Sequence, residues 1–336
     1  MTGDEDHTKG WTDSLAALVP IPAPHRREDQ DRAAARRTLR CDDALLDLLV
    51  REGLPSAGPT GDERFDAHDL YNLGLYSGSL RSLPEYAALF VGRLARADTA
   101  TWLAPMDWRL RLRASCGAPE HCGDEDRWTV ARPLPEASGG TVRELTGRPR
   151  PEPAAHELAV TGADGPVEVT WHLTTAGVRH RVLDPRPAEL MRWLTHDFRF
   201  QSLPFSLARD TDLVRRTGVA DCVAGSLLME EECRRLGIPA RARRTLLLGV
   251  VAFLNHGRLE FTDEDGVEKA LDPGLAAFAR IDGGDTSRFE EFCHGSTSNR
   301  LVPLAGPPRP TLAAHGPHAR CTPEVATLVG REEPPA

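Results

Sequence analysis

Lysine is nearly missing from this 336-residue chain: Lys9 and Lys269 stand alone, and arginine supplies the rest of its 41 basic residues. With its many alanines and with 29 Gly and 27 Pro, that bias points to a high-GC bacterial coding sequence rather than to a functional demand. A basic excess is missing too. The 50 acidic residues set the net charge at −9, which argues against nucleic-acid binding, because phosphate contacts need a concentrated basic face. No apolar run can span a bilayer, since the longest, residues 246–254, is under half of the ~20 residues required. The acidic opening, Met1-Thr2-Gly3-Asp4-Glu5-Asp6, leads into no apolar segment and does not read as a signal peptide. Seven cysteines, an odd number, predict free thiols in a reducing compartment. The expectation is a cytoplasmic protein without a membrane partner.

Two further absences narrow the chemistry. No Gly-rich phosphate loop follows a strand, so neither a nucleotide site nor a cofactor is expected. Two Cys/His clusters, Cys116-His121-Cys122 and His315-His318-Cys321, lack the paired Cys-x-x-Cys spacing of structural zinc, so no metal is predicted.

What remains is ordinary globular composition, 40% hydrophobic and 27% charged, on a chain long enough for two domains. Residues 1–35 are polar and Pro/Arg-rich, a flexible arm by this reading, with residues 11–21 its one apolar patch. Residues 36–98 read as helical, with apolar segments at 44–50 and 86–91 around a polar turn at 56–62. From 99 to 185 the period switches to alternation, as in Trp108-Arg109-Leu110-Arg111-Leu112-Arg113 and Val167-Glu168-Val169-Thr170-Trp171, which predicts an antiparallel β domain of sandwich type. Pro185-Arg186-Pro187 marks a boundary before residues 186–300, and 301–336 read as an irregular tail.

The chemistry gathers in 186–300. Gly218-Val219-Ala220-Asp221 runs into Cys222 and an apolar helical stripe of Ala224, Leu227, Leu228, Met229, Cys233 and Leu236. A thiol in the first turn of a helix meets the positive end of the dipole and unpaired N–H groups, which favour thiolate. Residues 245–254 read as a buried strand, continued by His256 to Phe261 with His256, Arg258 and Glu260 on one face. A turn ending in Asp265-Gly266 sends the chain back towards Asp272-Pro273. Centred on Glu264, that turn sets His256 opposite Asp272, within carboxylate–imidazole reach. Cysteine, histidine and aspartate in this order give a nucleophile, a base and an orienting group.

These motifs resemble the transglutaminase-like superfamily of papain-like thiol enzymes, which includes transglutaminases, peptide N-glycanases and bacterial amidases and peptidases. The likeness is carried by the glycine before Cys222, the phrase Leu236-Gly237-Ile238-Pro239-Ala240-Arg241, His256 opening a strand and the Asp272-Pro273 pair. It covers about residues 186–280. Two positions depart from the family: Gly257-Arg258 replaces an Ala-Trp pair, and Leu271 replaces an aromatic. The resemblance implies an α+β protein, with a transglutaminase-like (papain-like) catalytic domain behind an antiparallel β-sandwich-like domain and an N-terminal helical segment. It implies Cys222, His256 and Asp272 as catalytic residues, and Trp193 or Gln201 as candidates for an oxyanion side chain. The expected activity is acyl transfer through an acyl-enzyme, from a peptide, small-molecule or carrier-bound thioester donor to an amine or to water. Amide formation in bacterial biosynthesis is favoured over a cysteine peptidase or amidase, and over a non-catalytic interaction protein that keeps the fold.

Overall fold

The computed structural model describes residues 2–116, 127–134, 141–148, 152–153, 157–161, 167–249, 256–306, 312–315 and 321–329. Helix and strand are both well represented, as an α+β protein requires. The chain divides into two compact units, and residues 186–300 are shared between them.

The first unit comprises Met1–Arg96, Glu189–Leu228 and Pro273–Glu291 and is mostly helical. Its helices begin where the sequence offers a carboxylate or hydroxyl cap. Asp31 accepts the Ala34 N–H, Asp42 that of Leu45, Asp66 those of His68 and Asp69, and Ser82 that of Glu85. Within Asp43–Arg51, Leu46 and Leu49 are buried while Asp47 stays outside and pairs with Arg32. They join Trp11, Leu39, Leu54, Phe65, Leu70 and Leu73 in one core, each such side chain contributing roughly 1.5–3 kcal/mol by burial.

Trp11 corrects the expectation of a flexible arm: Thr2–Ala16 is a helix, and Trp11 is almost wholly enclosed. Its polar composition hid a single inward stripe. Gly10 lets that helix approach closely, since a Cβ there would lie 2.1 Å from the Ser77 carbonyl oxygen. The apolar segment 86–91 is helical as expected, within Leu83–Ala95, but only Ala87, Ala88 and Val91 of it are fully buried.

The second unit comprises Ala97–Ala188, Met229–Asp272 and Phe292–Ala336. Two antiparallel four-stranded sheets draw their strands from residues 106–175 and from 313–329. One has the strands Cys321–Val329, Met106–Cys116, Val167–Thr175 and Thr141–Arg148 in that spatial order; the other contains Ala313–His315, Arg127–Ala131, Glu157–Thr161 and Glu152–Pro153. Trp108, Leu110, Leu112, Trp128, Val130, Val169, Trp171 and Leu173 fill its core, together with Leu246, Leu248, Val302 and Leu304. Residues 301–336 are therefore not an irregular tail: their strands Leu301–Pro303, Ala313–His315 and Cys321–Val329 each pair within a sheet. Leu301–Pro303 and Ala313–His315 are only three residues long, too short to show a period.

A five-stranded sheet completes the unit, with His294–Gly295, Glu268–Leu271, His256–Thr262, Ala240–Leu247 and Leu301–Pro303 in spatial order. The strand expected at 245–254 starts five residues earlier, at Ala240, and residues 250–255 lie outside the described part. Its charged start is accommodated because Arg241 and Arg243 both reach Glu260 on the neighbouring strand. The hairpin is held by Lys269, whose Nζ meets Asp263 Oδ2 at 2.7 Å, Asp265 Oδ2 at 2.8 Å and the Arg181 carbonyl at 2.7 Å. Asp263 also accepts the N–H groups of Leu183 and Asp184 and so fastens the segment before Pro185.

Candidate active site

In the first unit, the helix Thr211–Thr217 ends on Gly218, whose φ of 64° only glycine adopts freely, and the chain turns into the short strand Val219–Ala220. That strand runs parallel to Arg199–Phe200. Asp221 then caps the helix Cys222–Arg235, its Oδ1 accepting the Ala224 N–H at 2.8 Å and its Oδ2 the Leu203 N–H at 3.2 Å. Cys222 thus occupies the first helical position, in the first turn as the sequence predicted, and it is buried. Ala224, Leu228, Met229 and Cys233 are buried behind it, whereas Leu236 is exposed. The Leu-Gly-Ile-Pro phrase has a local cause: Gly237 takes a φ of 71°, and the Ile238 N–H reaches back to the Cys233 carbonyl at 2.8 Å, closing the helix.

Two neighbours of Cys222 were not evident from sequence. Gly274 opens the facing helix Pro273–Ala279, and a Cβ on it would lie 2.5 Å from Cys222 Cα and 2.6 Å from its Cβ. Only glycine fits there. Gly274→Ala should therefore displace Cys222 by about 1 Å and reduce turnover about 100-fold, with the helix content of the circular dichroism spectrum retained. A normal rate in that variant would mean that the contact does not position the thiol. Tyr71, on the helix Ala67–Leu75, is the second neighbour: burial pushes its hydroxyl upward in pKa, and the adjacent Cys222 adds to the shift. The Ala67–Leu75 helix region also grips the strand Arg199–Phe200 and the residues after it, since Tyr76 donates to the Phe200 carbonyl at 2.8 Å and Asn72 pairs with both backbone groups of Ser202. A helix in the region was foreseeable from its pattern; its Tyr71 carried no signal.

The oxyanion candidates are both engaged elsewhere. Gln201 is fully buried and, with its amide turned to match its neighbours, bonds the Val19 carbonyl at 3.2 Å and the Val19 N–H at 3.3 Å. Trp193 packs edge-on against Phe198 with ring centroids 4.9 Å apart. Their observed contacts are structural.

In the second unit, His256 begins the strand His256–Thr262 and Asp272 follows the strand Glu268–Leu271. His256 Nε2 and Asp272 Oδ2 are 2.7 Å apart, and both side chains are about 3–4% exposed. The register differs from the expected one. Leu259 pairs with Leu271 and Phe261 with Lys269, so the turn is centred on Asp265 and Asp272 comes level with Arg258, diagonal to His256. The cause is the tight loop, in which the Asp263 N–H meets the Val267 carbonyl and the Gly266 N–H the Asp263 carbonyl. Moving the partner by two residues keeps the face, so the pair survives the correction.

The same strand carries a buried ionic group beside the pair. Arg258 donates to Glu260 Oε1 at 2.8 Å and to Thr297 Oγ1 at 3.1 Å, and Arg243 donates to Glu260 Oε2 at 2.8 Å. Burial pushes the Glu260 carboxyl up, but Arg258 and Arg243 outweigh it and hold it at about 2. Burial raises the thiols of Cys233 and Cys41 to about 11 each. Cys293, adjacent to His294, lies under the sheet and offers its carbonyl to the Asp272 N–H at 3.2 Å. The side chains of both sequence-level Cys/His clusters lie outside the described residues. Among the described residues no group of three or more metal-ligating side chains occurs, and no helix is long and apolar enough to cross a membrane.

Neither a family model nor a curated protein matches the chain. Among solved structures, a candidate cysteine protease from Cytophaga hutchinsonii is similar at 12% identity and a TM-score of 0.42, over 67% of this chain and 91% of that one. A candidate protease from Parabacteroides distasonis is similar at 14% identity and a TM-score of 0.19, over 52% of this chain and 47% of that one.

Proposed function

We propose that this chain is a cysteine enzyme in which Cys222, His256 and Asp272 transfer an acyl group through a thioester. The observation that carries this reading is the buried 2.7 Å contact between His256 Nε2 and Asp272 Oδ2. An ionised carboxylate accepts, so Nε2 bears the proton and Nδ1 is left as the base. The order Cys222, His256 and Asp272-Pro273 along the chain supports the same roles. In the proposed reaction, Nδ1 takes the Sγ proton and the thiolate adds to an amide or thioester carbonyl. The imidazolium then protonates the leaving nitrogen or sulfur as its bond to carbon breaks. An amine or water attacks the thioester, giving its proton to Nδ1, and Sγ departs.

Burial of both Cys222 and His256 supports a small or carrier-bound donor and an amine acceptor, since water exclusion favours amide formation over hydrolysis. Hydrolysis of peptide amides is the alternative outcome for the same intermediate, and a non-catalytic interaction protein is the alternative to both.

The test is the pH profile of iodoacetamide alkylation at Cys222, followed by mass spectrometry of its peptide. Rapid labelling at about pH 6–7 that collapses in His256→Ala is the expected result. Labelling that follows an ordinary thiol, near pKa 8.5, in both proteins would make the chain a non-catalytic scaffold. The ratio of amide to acid formed from a simple thioester and an added amine then separates transfer from hydrolysis.

A further inference from the structure

The helix Leu83–Ala95 has a solvent face that a soluble helix does not ordinarily show. Leu83 is 45% exposed, Tyr86 46% and Phe90 38%, at helical spacings of three and four residues, and the neighbouring Leu80 is 65% exposed. Arg93 continues the face by one turn, and no carboxylate occupies an exposed position of that helix. Arg40, Arg81 and Arg93 rim the apolar residues, all exposed and without an ion pair among the described residues. Arg40 lies over the Tyr86 ring, 4.6 Å from its centroid. In a chain of net charge −9, three exposed arginines without ion pairs among the described residues, on and beside this helix, are a local excess of positive charge.

The backbone maintains this presentation against its own preference. Among the described residues, Arg40 and Leu80 are the non-glycine residues with positive φ, at 51° and 55°, and both belong to this patch. Glycine or asparagine is the ordinary occupant of such positions, and another residue there is strained. The Leu80 loop is locked by the buried Glu85 carboxylate, whose Oε2 accepts the N–H groups of Arg81 and Ser82 and the hydroxyls of Ser79 and Ser82. A strained, locked leucine pointing into water gains nothing from the fold; it gains from something that covers it.

We infer that Leu80, Leu83, Tyr86 and Phe90, rimmed by Arg40, Arg81 and Arg93, form a docking site for a partner protein that presents an acidic amphipathic helix. An apolar helix stripe fills the centre and flanking carboxylates meet the three arginines. A two-fold contact with a second copy is disfavoured, because it would set the same arginines against one another.

The test uses the full chain and a labelled helical peptide of about 16 residues, with leucines at three- and four-residue spacing and glutamates on its flanks. Fluorescence anisotropy should show binding in the tens of micromolar, weakened about tenfold between roughly 50 and 300 mM salt. The same peptide with lysine for glutamate should bind at least tenfold more weakly. Tyr86→Glu and Phe90→Glu should abolish binding. Leu80→Gly is the discriminating variant: it should weaken binding about fivefold or more while raising the melting temperature, because glycine relieves the positive φ. Equal binding of both peptides, no binding, or binding unaffected by these variants would overturn the proposal. So would a dimer in sedimentation that Tyr86→Glu dissociates, or attachment to anionic phosphatidylglycerol vesicles that the same variant removes; these would assign the face to a second copy or to a membrane.

Discussion

Asp272→Asn should, in the proposed mechanism, lower the rate of acylation by a thioester about 10,000-fold while leaving the fold in place. The two side chains are nearly the same size, and the substituted amide can still fill the buried site beside His256. The difference is the proton. An aspartate can only accept from Nε2, which keeps the ring proton on that nitrogen and leaves Nδ1 unprotonated. An amide can donate to Nε2, and the imidazole then moves its proton to Nδ1, the atom needed as base. The imidazolium formed during attack also loses the carboxylate that stabilises it, at a site where both groups are almost sealed from water. Single-turnover acylation by an activated thioester, with a melting curve as control, measures the effect. A loss below tenfold with unchanged melting would remove Asp272 from the mechanism.

Lys269→Met should cost about 3–5 kcal/mol of unfolding free energy. Lys269 is one of only two lysines in the chain, and its side chain is 2% exposed against 0% for Asp263. Methionine replaces the stem but strands the Asp263 carboxylate in a dry site. Burial pushes that carboxyl up, and Lys269 together with the N–H groups of Leu183, Asp184 and Glu264 brings it down to about 2. A depressed folded-state pKa contributes stability that is fully present above the unfolded value near 4 and is lost as pH falls through about 2. In Lys269→Met the carboxyl rises, so the gap between wild type and variant should be widest near neutrality and narrow as the pH falls below about 5. Urea unfolding at several pH values checks both the size and the trend. A cost under about 1 kcal/mol would show that Asp263 finds another partner or water.

The parts of the fold that rest on strong periodicity were legible in the sequence. The alternation at Trp108–Arg113 and Val167–Leu173 became paired strands, and the stripe behind Cys222 became a buried helix face. The His256–Asp272 pair was legible as proximity, because both faces and both strands could be read, although the register depended on backbone bonds inside residues 263–267. What stayed hidden depends on long-range contacts. Trp11 is buried by residues from Ala35 to Leu73, so a polar helix looked like an arm. Gly274 matters only because Cys222 lies against it, and Tyr86 and Phe90 looked like core because their apolar neighbours are core. Gln201 was suggested by the family resemblance, which implies an upstream amide or aromatic group, and its amide meets the backbone of Val19.

The strand Met106–Cys116 has one edge paired with Val167–Thr175 and the other with Cys321–Val329. On a ribosome adding about 5–20 residues per second, the second partner arrives some 10–40 seconds after the strand itself. For that interval the sheet shows an open edge to a crowded solution, where another nascent chain could pair with it. Arg109, Arg111 and Arg113 alternate along the waiting strand on its exposed face. Arg111 pairs with Glu168 of the neighbouring strand at 2.6 Å, and charged side chains along such an edge disfavour its pairing with another chain. Replacing the three arginines with threonine would leave the finished sandwich little changed, and its cost would appear as inclusion bodies.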